Sequence, residues 1–220
     1  MLTAYEDSIR QRCNPVPDAH ETAEVALCWP STWNVIWCEE SGVHNPSEMA
    51  GWLERAWEQM RTWTNFDPNV WHAERNGERH RLVFACDGRR DFIVDRLPRP
   101  YIGLRDGQNP PAGSEDWFGW LCHELAHDFF HQQGVNTGRT IWGEGMADYS
   151  RYHLLATMGM SGTARRWEES LQRAAPTDRY KAAARMILNY ERSNSLSDPT
   201  EVWQRLWQTD FDQTVGRPTW

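Results

Sequence analysis

"WLCHELAHDFFHQQG", residues 120–134, places three histidines at four-residue steps, His123, His127 and His131, with a glutamate directly after the first. Four residues on an α-helix advance about 6 Å and return almost to the same side, so His123 and His127 can present two imidazoles to one ion. Glu124 is turned about 100° from His123. That keeps it out of the ring of direct ligands but beside a water on the ion, where a general base belongs. His-Glu-Leu-Ala-His at this spacing is the pattern of zinc hydrolases.

Catalytic zinc takes three protein ligands and a water, and the chain offers His131 and Glu144 for the third place. His131 continues the stripe, but 131 − 123 = 8 residues carry it about 12 Å along the axis, whereas each ligand must lie about 2 Å from the ion. Recruiting it would need a glycine that turns the chain back, and the intervening residues are Asp128, Phe129 and Phe130. Glu144 follows His127 by 144 − 127 = 17 positions, within "WGEGMADYSRY". A loop around Gly134 to Gly138 lets a second helix return its carboxylate to the ion. Asp148, one turn after Glu144 on the same face, is spaced to accept the Nδ1–H of a ligand histidine and fix its tautomer. The expected site is therefore one Zn2+ on His123, His127 and Glu144, with Glu124 as base and Asp148 behind the ligands.

Outward from this stretch, the chain of 220 residues is 40% apolar and 25% charged, the profile of a globular protein with one core or two lobes. Its 14 tryptophans are spread along the whole length and read as core anchors. Net charge is 23 − 31 = −8, and no Lys/Arg run is interleaved with aromatics, so a nucleic-acid partner is not expected. No stretch is long and apolar enough to span a bilayer. The start, "MLTAYEDSIRQRCNP", lacks the apolar centre of a signal peptide, which favours a cytoplasmic location. Five cysteines, an odd number without CxxC spacing, read as reduced thiols rather than a disulfide framework or a thiolate zinc site.

Upstream of the histidines, "AEVALCW", "WNVIWC", "HRLVFACD", "DFIVD" and "YIGLRD" read as strands. Between them, "NPSEMAGWLERAWEQMRTWTNF" carries one apolar stripe and reads as a helix with Asn45 as N-cap, Pro46 at its first position and Glu48 three residues after the cap. Downstream of Thr140 every pattern is helical. The expectation is an α+β fold: a mixed strand/helix lobe over 1–139 ending in the metal helix, then a helical lobe over 140–220.

"HELAH" followed by "EGMADY" resembles the gluzincin zinc metallopeptidases, and within them the basic secretory protein family. "DRYKAAARMILNYERSN" resembles that family's next helix and "YIGL" its edge strand before the metal helix. The resemblance implies a zincin-like fold with the site in the cleft between its lobes, and hydrolysis of peptide bonds. It implies substrate binding along Tyr101, Ile102, Gly103 and Leu104, where glycine permits close backbone approach. It also implies an oxyanion donor from the helical lobe, for which Tyr180 matches the family's position. A secreted location is compatible with it. A hydrolase of small-molecule amides is the alternative to a peptidase, and a silent binding module a third reading, although His123, Glu124, His127 and Glu144 are all present.

Overall fold

A computed structural model describes backbone and side chains of residues 48–49, 51–68, 70, 74, 114–129, 141–196, 198–206 and 214–216, and backbone alone of 13–14, 25–30, 46–47, 50, 82–86, 94–95, 101–104, 130–132 and 207. Among the residues described with their side chains, 83% are helical, in six helices, and none lies in a strand. These are α1 (Pro46–Thr64), α2 (Glu115–Gln132), α3 (Ile141–Thr157), α4 (Ser161–Arg173), α5 (Arg179–Ser193) and α6 (Pro199–Trp207).

This overturns the expected α+β class with a strand-built N-terminal lobe. Upstream of His123, the described core consists of Met49, Trp52, Leu53, Ala56, Trp57, Met60 and Trp63 on α1 and Trp117, Phe118, Leu121 and Cys122 on α2. The runs read as strands are four to six residues at most in "VALCWP", "LVFAC" and "YIGL", and short apolar runs do not by themselves establish a sheet lobe. Their backbones pair, Val25–Pro30 with Leu82–Cys86 and Leu82–Cys86 with Tyr101–Leu104. "WNVIWC" lies outside the described residues.

The helices follow local chemistry. α1 starts at Pro46, whose missing N–H is harmless there, and stops at Asn65, which takes the left-handed φ of 50° that closes a helix. Asn45 lies outside the described residues. α2 is capped by Ser114, whose hydroxyl accepts from the Trp117 N–H at 3.2 Å. Glu115 and Asp116 complement its positive end, and the loop expected around Gly134 to Gly138 lies outside the described residues. α3 ends on Gly159 at φ 82°. There Met160 N–H donates to Leu155 O at 2.9 Å and Gly159 N–H to Ala156 O at 3.0 Å, the paired bonds that cap a helix through a left-handed glycine. α5 is capped by Asp178, whose carboxylate accepts from the Lys181 N–H.

The chain divides into two compact units, residues 1–57 with 67–124 and residues 58–66 with 125–220. In the first, Trp52 meets Phe118 with ring centroids 5.3 Å apart, beside buried Trp57, Trp117, Leu121 and Cys122. In the second, Phe66 meets Phe129 edge-on at 6.4 Å, and α3 packs chiefly on α5 and α4. No helix among the described residues is long and apolar enough to cross a membrane.

Candidate metal centre

α2 is buried on every side over its central turns: each residue from Leu121 to Phe129 is inaccessible or nearly so. Leu121, Cys122, Leu125, Ala126 and Phe129 account for the apolar part. A helix with no solvent face is a core helix, and this one carries His123, Glu124, His127 and Asp128 into the interior. Burying polar and charged groups costs several kcal/mol, on the order of 2–7 for a neutral one, unless something compensates them.

α3 supplies the complement. Glu144 stands in its first turn, with Gly143, Gly145, Met146, Ala147 and Asp148 around it, all buried. One ligand atom from each of His123, His127 and Glu144 lies within 4.8 Å of the other two. Glu144 Oε2 is 3.6 Å from His127 Nε2, and the Glu144 side chain keeps 28% of its accessibility while His127 keeps 8%. One partly open side chain thus stands beside two buried ones.

The separations suit zinc. Two ligand atoms each about 2.0–2.2 Å from a tetrahedral ion stand roughly 3.3–3.5 Å apart, so the His127–Glu144 distance fits directly. Two neutral imidazoles and a carboxylate are also the donor set that zinc takes when it keeps a fourth position for water.

The other expected residues fall as follows. Asp148 is buried one turn after Glu144, and its main-chain carbonyl accepts from Trp167 Nε1–H at 3.2 Å. His131 continues on the same unbroken helix, so the chain does not fold back to bring it to the ion. Tyr149 is fully buried and donates to Glu191 Oε1 at 2.9 Å, which assigns it to packing. Tyr180 is 53% exposed on the first turn of α5. Tyr101–Leu104 is extended, but Tyr101 and Ile102 pair on both sides, with Val83 and Phe84 in parallel and with Asp95 and Val94 antiparallel. A free edge for a peptide is therefore not present at Tyr101 and Ile102, and the side chains of all four lie outside the described residues.

Sequence reasoning passed over Asp128 and Glu191. Asp128 had a signal, being the single acid in the apolar run "LAHDFF" on a helix otherwise without a wet face. Glu191 had none, since its neighbour Tyr149 is 42 positions away and only the folded chain brings them together. No family model, curated protein or solved structure matches the chain, so the functional reading rests on its own residues and their geometry.

Proposed function

We propose that this chain is a zinc-dependent peptidase of gluzincin type, with His123, His127 and Glu144 as the metal ligands. The carrying observation is the convergence of those three side chains to within 4.8 Å in a buried setting. The resemblance of "HELAH" and "EGMADY" to the basic secretory protein family supports the same reading. Zinc bound there supplies Lewis acidity and a water acidic enough to ionise near neutral pH.

The rest of the chemistry belongs to the chain. Glu124, directly after His123 and buried with it, accepts the proton of the attacking water on its carboxylate. It then delivers that proton to the amide nitrogen of the leaving group, as a general base turned general acid. Burial helps, because a carboxylate shielded from bulk water exchanges its proton with the reactants rather than with solvent. Asp148 orients a ligand histidine, and Tyr180 donates its hydroxyl to the carbonyl oxygen on which negative charge develops.

Glu124→Gln tests the reading. The amide is close to isosteric but cannot take the proton, so the variant should bind zinc as the wild type does and lose nearly all cleavage of a mixed peptide library, on the order of 10²-fold or more. Chelator should abolish wild-type cleavage and added zinc restore it. Cleavage that persists in Glu124→Gln at a tenth of the wild-type rate removes the general base, and turnover of small N-acyl amides with peptides left intact moves the substrate class.

A further inference from the structure

The third ligand sits where a helix is least secure. Glu144 is in the first turn of α3, where backbone N–H groups lack intrahelical partners and ends fray. Something outside α3 must fix it, because metal sites tolerate only about ±0.2 Å in ligand distance. The neighbouring residue identifies that support. A Cβ added to Gly145 would stand 2.7 Å from the Ala183 Cβ, 3.1 Å from the Ala183 carbonyl carbon and 3.1 Å from the Ala184 nitrogen. Two of those three neighbours are main chain of α5 and cannot swing aside. α5 meets this point with buried Ala182, Ala183 and Ala184, so neither helix carries a side chain that would hold the other off. Glycine inside a helix costs roughly 0.5–1 kcal/mol relative to alanine, and here it permits a main-chain approach that alanine forbids.

We propose that Gly145 is a positioning residue for Glu144: its contact with Ala183 and Ala184 sets how far the ligand-bearing turn of α3 stands from α5, and through that where the Glu144 carboxylate meets the ion. The proposal rests on the metal reading above. A methyl group at Gly145 needs about 3.5–4 Å from other carbons, against the 2.7 Å available. The turn must therefore move by on the order of 1 Å, several times what the ligand distances allow. A second tie between the same helices, Tyr149 to Glu191, lies beyond the first turn and holds the remainder of α3 in place. The displacement is then confined to the end that carries the ligand.

The experiment is zinc titration of the metal-free full-length protein against a chromophoric chelator, read beside the thermal melt of each metal-free variant. Gly145→Ala should weaken zinc binding at least 10-fold while remaining folded, and adding Ala183→Gly to it should recover several-fold of that loss. A wild-type zinc dissociation constant in Gly145→Ala overturns the proposal, as does a loss that the second substitution leaves untouched. Should Gly145→Ala fail to fold, Ala183→Gly is compared with Ala182→Gly, which carries the same helix-propensity cost without touching the closest contact. The first should weaken zinc binding several-fold more than the second, and equal effects overturn the proposal. A wild-type protein that takes up no zinc removes the metal reading and this proposal with it, an outcome distinct from a wild type that binds zinc and a Gly145→Ala that binds it equally well.

Discussion

Tyr149 and Glu191 are joined by a 2.9 Å hydrogen bond in the interior of the helical C-terminal part, between α3 and α5. The same carboxylate receives a second group from α3, His153, whose Nε2 stands 3.1 Å from Oε1. The His153 ring is enclosed by Tyr149 at 4.6 Å, Tyr152 at 4.7 Å and Trp63 at 6.3 Å between centroids. Burial, and after it the negative charge of Glu191, holds the Tyr149 hydroxyl far above the ordinary phenol range. It stays protonated and stays a donor, as the bond requires.

A pH dependence follows. In the unfolded chain the Tyr149 phenol ionises near 10, while in the fold it does not. The folded state therefore holds more protons above that pH, and stability is complete below about 10 and falls as pH rises, by about 1.4 kcal/mol per pH unit for this one group. Tyr149→Phe should be less stable than wild type at neutral pH, by about 1 kcal/mol for the lost bond, and its denaturant midpoint should decline less steeply from pH 10 to 11. Parallel alkaline profiles for the two proteins would show that Tyr149 ionises in the fold as readily as outside it.

The choice of third ligand has a direct measurement. Metal analysis after dialysis should give one zinc per chain in wild type and in His131→Ala, and much less than one in Glu144→Ala. A stoichiometric ion that survives Glu144→Ala but not His131→Ala would reverse the assignment. The unbroken course of α2 through His131 argues for the first outcome.

Asp148→Ala should weaken zinc affinity or activity by about 10- to 100-fold, the usual effect of removing a partner behind a metal ligand. The melt of the metal-free variant separates this from loss of structure. A drop in melting temperature with zinc affinity unchanged would make Asp148 a packing residue held through its carbonyl bond to Trp167.

Tyr180 gives a cleaner test because it is 53% exposed. Substitutions at such a position move stability by only about 0.5 kcal/mol or less, so Tyr180→Phe isolates the hydroxyl. kcat should fall roughly 10²-fold, the scale of one lost oxyanion donor, with zinc content unchanged. Wild-type turnover would send the search for the donor to another residue.

The candidate site is legible where the helix does the arithmetic. His123, Glu124 and His127 are related by 3.6-residue geometry alone, and Glu144 followed from the need for a third ligand and the small residues flanking it. Ser114, Pro46 and the four helices after Thr140 were likewise local signals. The N-terminal class was not legible in the same way. Short Val- and Ile-rich runs satisfy the strand pattern, but runs of four to six residues do not by themselves decide a fold class. The partners of Tyr149 and Gly145 were hidden for a similar reason: Glu191 and Ala183 are ordinary helical residues until α5 docks on α3.

The enclosure of α2 bears on how the protein comes to hold its ion. On the proposed metal reading, two imidazoles on a helix enclosed over its central turns are set when the chain folds, so an ion held there would be a guest of this structure and not its nucleus. Removing it should leave helicity intact, unlike small domains that collapse without zinc. Glu144 is the more accessible of the proposed ligands, so on that reading exchange of the ion would run through its carboxylate and be governed by the first turn of α3.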